Sequence, residues 1–298
     1  MKEVIPEVIS NTRSTDYQLI PLESLVEDIR DISTLPEIAM KVEGIAGDPN
    51  AGIDDLKSII ESDPALSGRI LRTVNSAAYA LSSKVTNLHH AISLLGFVEV
   101  RNLAFTALVA RIFREHKTVG TYRREGLWRH MISVGICARI IAKHLGFKGI
   151  EDCYLAGLLH DIGIILEDQY AHSKFCQVIE SLDQKTKLTE TERKILGFDH
   201  TQLGARIAEK WNFPPVFCAA IRHHHAAQEY QGEGSGIVRC VEVANHISAL
   251  KGYTSVGMVF ISTPIQALQW LNLQIEDVVA ISEKLEEKIC RYENLFEE

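Results

Sequence analysis

The sequence lacks the features of exported and membrane-spanning chains. Its first residues, MKEVIPEVISNTRSTDY, have neither the basic start nor the apolar core of a secretory signal, so we expect no export. Runs of about 18 apolar residues, the length that crosses a bilayer, are also missing. The six cysteines are scattered and form no C-x-x-C pair, which predicts reduced, mostly buried thiols and no disulfide framework. Together these features predict a cytoplasmic protein with no membrane partner.

An excess of positive charge is absent as well. The chain has 39 acidic and 31 basic residues and a net charge of −8, whereas non-specific binding to nucleic acid requires a basic surface. Basic side chains cluster between residues 101 and 124, and we interpret them as a solvated helix face and its loop. A nucleic-acid-binding alternative rests on Arg69, Arg72 and Asn75, which form a polar edge in a helix-turn-helix-like spacing, but the acidic balance argues against it.

Strand-like alternation is scarce, while apolar spacings of three and four residues recur along the whole chain, which predicts an all-α protein. Asp63 before Pro64 is a helix start signal, and Gly96 is expected to divide two helices between Asn87 and Phe113. In the second half we predict helices over residues 127–145, 151–159, 173–182, 189–196, 200–211, 215–225 and 236–251. We divide the chain into an N-terminal extension (1–21), an N-terminal helical lobe (22–116), a second helical lobe (117–255) and C-terminal helices (256–298).

Histidines occupy apolar helix stripes in the second half, where a polar side chain needs a partner. His130 begins the apolar stripe of the first helix, and His160 and Asp161 follow the apolar run of the second. His200 begins the apolar stripe of a third helix, and His224 and His225 end the stripe of a fourth. Neutral imidazoles around one carboxylate in an apolar setting are suited to a transition metal. We therefore predict that these side chains converge, and that Asn245, at or beside the inward face of a fifth helix, lies with them. In contrast, His172 is interpreted as an ordinary loop or surface residue.

Several segments resemble a known family. AGLLHDIG, preceded thirty residues earlier by LWRHMISVG, resembles the paired signature of HD-superfamily metal-dependent phosphohydrolases. The stretch from LPEIAMKVEGIAGDPNAG to LLGFVEVRNLAF, with the later FDHTQLGARIAEKWNFPPVFCAAIRHHH, is similar to HDOD domains, the HD-related output domains of bacterial signalling proteins. The resemblance covers about residues 22–250 and implies an HD-superfamily helical bundle of the HDOD type with an N-terminal helical lobe.

The resemblance also implies a set of metal ligands. One metal would be held by His130, His160, Asp161 and the position of Asn245, and a second, as in HD-GYP phosphodiesterases, by Asp161, His200, His224 and His225. Asp161 would bridge the two. Asn245 replaces the usual aspartate, and its amide oxygen carries no charge, so the first position loses an electrostatic partner. We expect one or two divalent ions, iron or manganese.

Two main functions remain open at this point. The first is a regulatory module with little or no catalysis, whose partners are signalling proteins such as a histidine kinase or a response regulator. The second is a metal-dependent phosphohydrolase acting on a nucleotide, cyclic dinucleotide or other phosphoester, with Asp161 as the metal-bridging catalytic residue. The GYP-type motif of cyclic-dinucleotide phosphodiesterases is missing after the double histidine, where the chain continues AAQEYQGEGSGIV. This absence favours the regulatory module, which could still bind a nucleotide as a ligand.

Overall fold

The described part of the protein is predominantly helical, as the sequence predicts. The computed structural model describes residues 19–29, 34–45, 51–76, 79, 81–113, 117–183, 185–257 and 262–293. The first half contains α1 (Leu22–Asp28), α2 (Thr34–Gly44), α3 (Ile53–Glu61), α4 (Pro64–Val74), α5 (Leu88–Leu95) and α6 (Phe97–Ala110). Most of the predicted N-terminal extension, residues 1–18, lies outside the described residues, as do residues 258–261 and 294–298 of the predicted C-terminal helices.

A short antiparallel hairpin precedes the second half. Its strands are β1 (Thr118–Val119) and β2 (Tyr122–Arg123), with Thr118 opposite Arg123. The helices that follow are α7 (Arg124–His144), α8 (Ile150–Leu159), α9 (Ile162–Tyr170), α10 (His172–Glu180), α11 (Leu188–Ile195), α12 (His200–Lys210), α13 (Pro215–His223), α14 (Ser235–Leu250), α15 (Ile265–Trp270) and α16 (Ile275–Glu293). The hairpin follows the predicted boundary between residues 116 and 117, and the division of the chain at that point stays a prediction.

Local sequence signals account for several helix ends. Asp63 accepts hydrogen bonds from the backbone N–H groups of Ala65 and Leu66, and Pro64 occupies the first position of α4. Gly96 separates α5 from α6 with a φ of 87°, a conformation that a side chain would strain. Both predictions made from these residues are confirmed.

Three local predictions were wrong. We expected the chain to leave helical structure after His160 and Asp161, but α9 begins at Ile162. The first helix of the second half was predicted to begin at residue 127, but α7 begins at Arg124, directly after the hairpin. Arg124 was expected on a solvated face, but it is 2% exposed and pairs with Asp168. The burial of Arg124 is a tertiary effect, because Asp168, which compensates its charge, lies on a different helix.

The core of the second half forms around α7, which packs against α8, α14 and α16. Gly135 of α7 and Gly157 of α8 face each other so closely that a Cβ atom on Gly157 would lie 2.8 Å from the Cα atom of Gly135. This close approach brings the helix that carries His130 against the helix that ends before His160. Among the described residues, the helices are each too short or too polar to traverse a lipid bilayer.

Candidate metal centre

Five helices bring the predicted ligands together. His130 lies within α7, and His160 and Asp161 form the link between α8 and α9. His200 is the first residue of α12, whereas His224 and His225 directly follow α13. The packing of α12 against α9 and α13, and of α13 against α8, places these helix ends around one point. The predicted convergence of the histidines on Asp161 is therefore present in the fold.

The first group of ligand atoms consists of His130, His160 and Asp161, all buried. Nε2 of His130 lies 3.2 Å from Nε2 of His160. Both nitrogens lie 3.3 Å from the same carboxylate oxygen, Oδ2 of Asp161. Two imidazole nitrogens and one carboxylate oxygen thus face a common point.

The second group consists of Asp161, His200, His224 and His225. Here the other carboxylate oxygen, Oδ1 of Asp161, lies 3.2 Å from Nε2 of His224 and 3.5 Å from Nε2 of His200. Nε2 of His225 lies 3.1 Å from Nε2 of His200. His225 is exposed, whereas the other three residues are buried, so this group has an open side. Since each oxygen of Asp161 belongs to a different group, the carboxylate is in position to bridge two metal ions.

The opposite edges of the rings determine which nitrogen carries the hydrogen. Nδ1 of His130 lies 2.9 Å from the carbonyl oxygen of Tyr253, Nδ1 of His160 lies 2.7 Å from that of Gly157, and Nδ1 of His224 lies 2.9 Å from that of Ile221. A carbonyl oxygen can only accept, so each Nδ1 donates and each Nε2 presents a lone pair to the centre. Outer partners of this kind are typical of metal-binding histidines.

Lone pairs that face one another repel, and a cation between them removes that repulsion. In neutral His130 and His160 the two Nε2 atoms are both acceptors, and Oδ2 of Asp161 beside them is a further acceptor. Oδ1 of Asp161 is buried without a hydrogen-bond partner. A buried polar atom in this situation loses its hydration with no compensation, which a coordinated metal ion would supply. The residues present therefore fit a divalent transition metal.

The pKa values of the ligand side chains follow from their burial and from their neighbours. Burial lowers the pKa of His160 to about 4, which keeps its ring neutral. Burial alone would raise the pKa of Asp161, but its contacts with the surrounding histidines hold that pKa well below its usual value. Burial also opposes a charge on His200, yet the charge and hydrogen bond of Glu192 raise its pKa to about 9. A proton and a metal ion therefore compete for Nε2 of His200.

Buried acids behind the ligands were not predicted from the sequence. Glu192 of α11 is fully buried, and its carboxylate accepts hydrogen bonds from Nδ1 of His200 at 2.8 Å and from the backbone N–H of His200 at 3.2 Å. Glu167 of α9 is also fully buried, and burial followed by the charge of Glu192 raises its pKa well above the usual range. Since α11 is rich in charged residues, its sequence offers no signal that Glu192 faces inward.

The remaining polar candidates lie apart from the two groups or stay untested as ligands. Asn245 is half-buried on α14, and its role as a ligand stays a prediction. His223 stacks on Tyr230, with ring centroids 5.6 Å apart, in agreement with its expected place beside the cluster. The nucleic-acid alternative loses support because the side chain of Asn75 is engaged by the backbone of Leu71 and Val85.

The fold and the site define a helical protein with a histidine-rich centre around one aspartate, and comparison with known proteins agrees with the fold. The family profile described as HDOD domain matches residues 32–227, and the chain belongs to this family. A protein of Geobacter sulfurreducens, described as an HDOD domain protein of unknown function, has a similar fold. Its TM-score is 0.76 at 23% identity, with 93% of this chain and 96% of that one covered. The resemblance noted in the sequence is therefore confirmed.

Two further solved structures share the fold. A Marinobacter aquaeolei protein named "Putative signal transduction protein" has a TM-score of 0.76 at 25% identity, covering 96% of this chain and 64% of that one. A Shewanella amazonensis protein named "Putative phosphohydrolase" has a TM-score of 0.70 at 20% identity, covering 92% of this chain and 97% of that one. An uncharacterized protein of Treponema pallidum is 25% identical over 85% of this chain, which spans 48% of that relative's length.

Proposed function

We propose that this chain is a regulatory HDOD module of bacterial signalling, whose centre binds one or two divalent transition-metal ions and hydrolyses phosphoesters poorly or not at all. The observation that carries this proposal is the charge of the ligand set. Among the described His, Cys, Asp and Glu side chains of the two groups, Asp161 is the single acid, and the other five are histidines. At the position where the HD pattern has a further carboxylate, this chain has Asn245.

The net charge of the metal ions and their ligands favours tight binding of an anion over hydrolysis of a phosphoester. Two divalent ions, one carboxylate and five neutral imidazoles would give the ligand set a net charge of about +3. Such a centre attracts a phosphate-bearing ligand such as a nucleotide, but it also holds an anionic product and slows its release. Metal or ligand binding would then act through the packing of α12 and α13, whose outer surfaces would face a partner such as a histidine kinase or a response regulator.

The test combines turnover with hydrogen exchange. Protein loaded with Mn²⁺ or Fe²⁺ is incubated with a phosphomonoester, a nucleotide and a cyclic dinucleotide, and amide exchange is compared with and without metal. We expect no turnover, together with metal-dependent protection of amides in α12 and α13. Unchanged exchange on metal binding would contradict the regulatory proposal.

Hydrolysis is the second candidate, and one observation favours it. Both oxygens of Asp161 face ligand groups, and His225 leaves one side of the second group open to solvent. A bound metal ion would supply Lewis acidity toward a phosphoryl oxygen. His130, His160, His200, His224 and His225 would hold the metal ions, and Asp161 would fix the spacing between them. Turnover that is lost in Asp161→Ala would establish this candidate and overturn the first.

A further inference from the structure

A second cluster of reactive groups lies on α9 and α10, apart from the ligand groups. Asp168 lies near the end of α9, His172 is the first residue of α10, and Cys176 lies one turn further along α10. Asp168 is buried, Cys176 is half-buried, and the side chain of His172 is 46% exposed. The sequence-based interpretation of His172 as an ordinary surface residue was incomplete, because its ring connects an acid to a thiol.

The hydrogen bonds orient the imidazole toward the thiol. Nδ1 of His172 lies 2.8 Å from Oδ1 of Asp168 and 3.0 Å from the backbone carbonyl oxygen of Asp168. The carbonyl can only accept, so Nδ1 carries the hydrogen and Nε2 presents its lone pair. Nε2 lies 3.7 Å from Sγ of Cys176, within hydrogen-bond distance for sulfur. Nucleophile, base and orienting acid therefore have the arrangement that activates a thiol.

The carboxylate of Asp168 is held in place by hydrogen bonds to its second oxygen, Oδ2. Nε of Arg124 lies 2.5 Å from Oδ2 of Asp168, and the hydroxyl of Tyr122 donates to the same oxygen at 3.2 Å. Arg124 and Tyr122 are themselves buried. Since Oδ2 is held by these two donors, Oδ1 keeps its direction toward His172. The arrangement does not depend on the metal centre, because neither Asp168 nor His172 belongs to the two ligand groups.

We propose that Cys176 is a modification site at which a neutral peroxide oxidises the thiol to a sulfenic acid, with His172 as the base. Nε2 of His172 takes the proton from Sγ of Cys176 while Sγ attacks one peroxide oxygen. The S–O bond forms as the O–O bond breaks, so sulfur loses two electrons and the peroxide oxygens gain them. The departing hydroxide takes the proton from Nε2 and leaves as water, which returns His172 to its neutral form.

The local charge selects the class of reagent. Burial, followed by the negative charges of Glu180 and Asp168, raises the pKa of the Cys176 thiol. The thiol therefore keeps its proton at rest and depends on His172 for activation. The same negative charges repel anionic reagents, whereas hydrogen peroxide is small and uncharged. The thiols of four other cysteines are buried and therefore less accessible to the peroxide than that of Cys176, namely those of Cys137, Cys153, Cys218 and Cys240.

The test measures the oxidation rate of each thiol in the full chain. A Cys290→Ser background leaves the five cysteines named above, and hydrogen peroxide is added with dimedone, which traps sulfenic acid for mass spectrometry. We expect Cys176 to be labelled first. His172→Gln should slow its labelling at least about tenfold, because a positioned base contributes that much or more. Glu180→Gln should accelerate it, because a negative charge that disfavours the thiolate is removed. Gln177→Ala, exposed on the same helix, is the matched control and should leave the rate unchanged.

Iodoacetamide alkylation gives a second readout of the same nucleophile without an oxidant. It separates the thiol's own reactivity from any oxidation caused by a metal ion at the other site. We expect the same order of rates, with Glu180→Gln fastest and His172→Gln slowest. Equal rates for His172→Gln and the parent protein, or first labelling at another cysteine, would overturn the proposal.

Discussion

Replacing Gly163 by alanine should disrupt the junction between α9 and α12, which sets the distance between Asp161 and His200. A Cβ atom at position 163 would lie 1.9 Å from the carbonyl oxygen of His200 and 2.6 Å from its carbonyl carbon. Ordinary contact begins at 3.4 Å, so the backbones must separate by about 1.5 Å, the difference between the oxygen distance and that limit. Because the opposing atoms are backbone, no side chain can rotate away to relieve the clash.

The expected cost follows from overpacking of the core. Inserting a methyl group into a packed interior typically costs about 1–3 kcal/mol, and a backbone obstacle places Gly163→Ala at the upper end, near 3 kcal/mol. The separation also moves His200, whose Nε2 lies 3.5 Å from Oδ1 of Asp161. We therefore expect weaker metal binding in the second group and little change in the first.

Urea unfolding and metal titration measure these two effects. The matched control is Gly126→Ala in the same half of the chain, where the new Cβ atom would lie 3.8 Å from Cβ of Arg123, an ordinary contact. This control should keep the stability and metal content of the parent protein. If Gly163→Ala behaved like Gly126→Ala in both assays, the close contact of α9 with the first residue of α12 would be refuted.

Three further predictions follow from single side chains. Glu192→Gln should weaken metal binding in the second group by about 10–100-fold, measured by competition with a chelator, because His200 loses its charged hydrogen-bond acceptor. Asn245→Asp should raise the metal content of purified protein in elemental analysis, and equal content would contradict the charge argument. Burial raises the pKa of Glu242 from 4.5 to about 7, so this group favours folding below pH 4.5, and the effect is lost as the pH rises through 7. Glu242→Gln should therefore be more stable than the parent by about 1–2 kcal/mol near pH 8, after allowance for solvent screening, and differ little at low pH in urea unfolding.

The sequence predicts the ligands better than it predicts their surroundings. A histidine on an apolar stripe can be recognised from the sequence. The apolar residues three and four places away predict that its position is buried, although its side chain is polar. His130 and His200 were found in this way, and the structure brings both to Asp161. Glu192 gives no such signal, since an acid on a charged helix is normally solvated, and only the packing of α11 on α12 shows that it is buried.

The cluster at Cys176 was missed for a related physical reason. His172 was interpreted from its polar neighbourhood, and α9, which carries Asp168, was not predicted. Without α9, the sequence gives no reason to place Asp168 beside the first residue of α10. The burial of Arg124 is likewise a tertiary effect, because its charge is compensated by an acid 44 positions along the chain.

The most direct test of the central claim, that Asp161 joins two metal positions, is electron paramagnetic resonance of the protein saturated with Mn²⁺, with elemental analysis of the same sample. We predict two manganese ions per chain with an exchange-coupled spectrum, and loss of that coupling in Asp161→Asn. A single bound ion, or two ions that each give the spectrum of isolated Mn²⁺, would contradict the bridging role of Asp161.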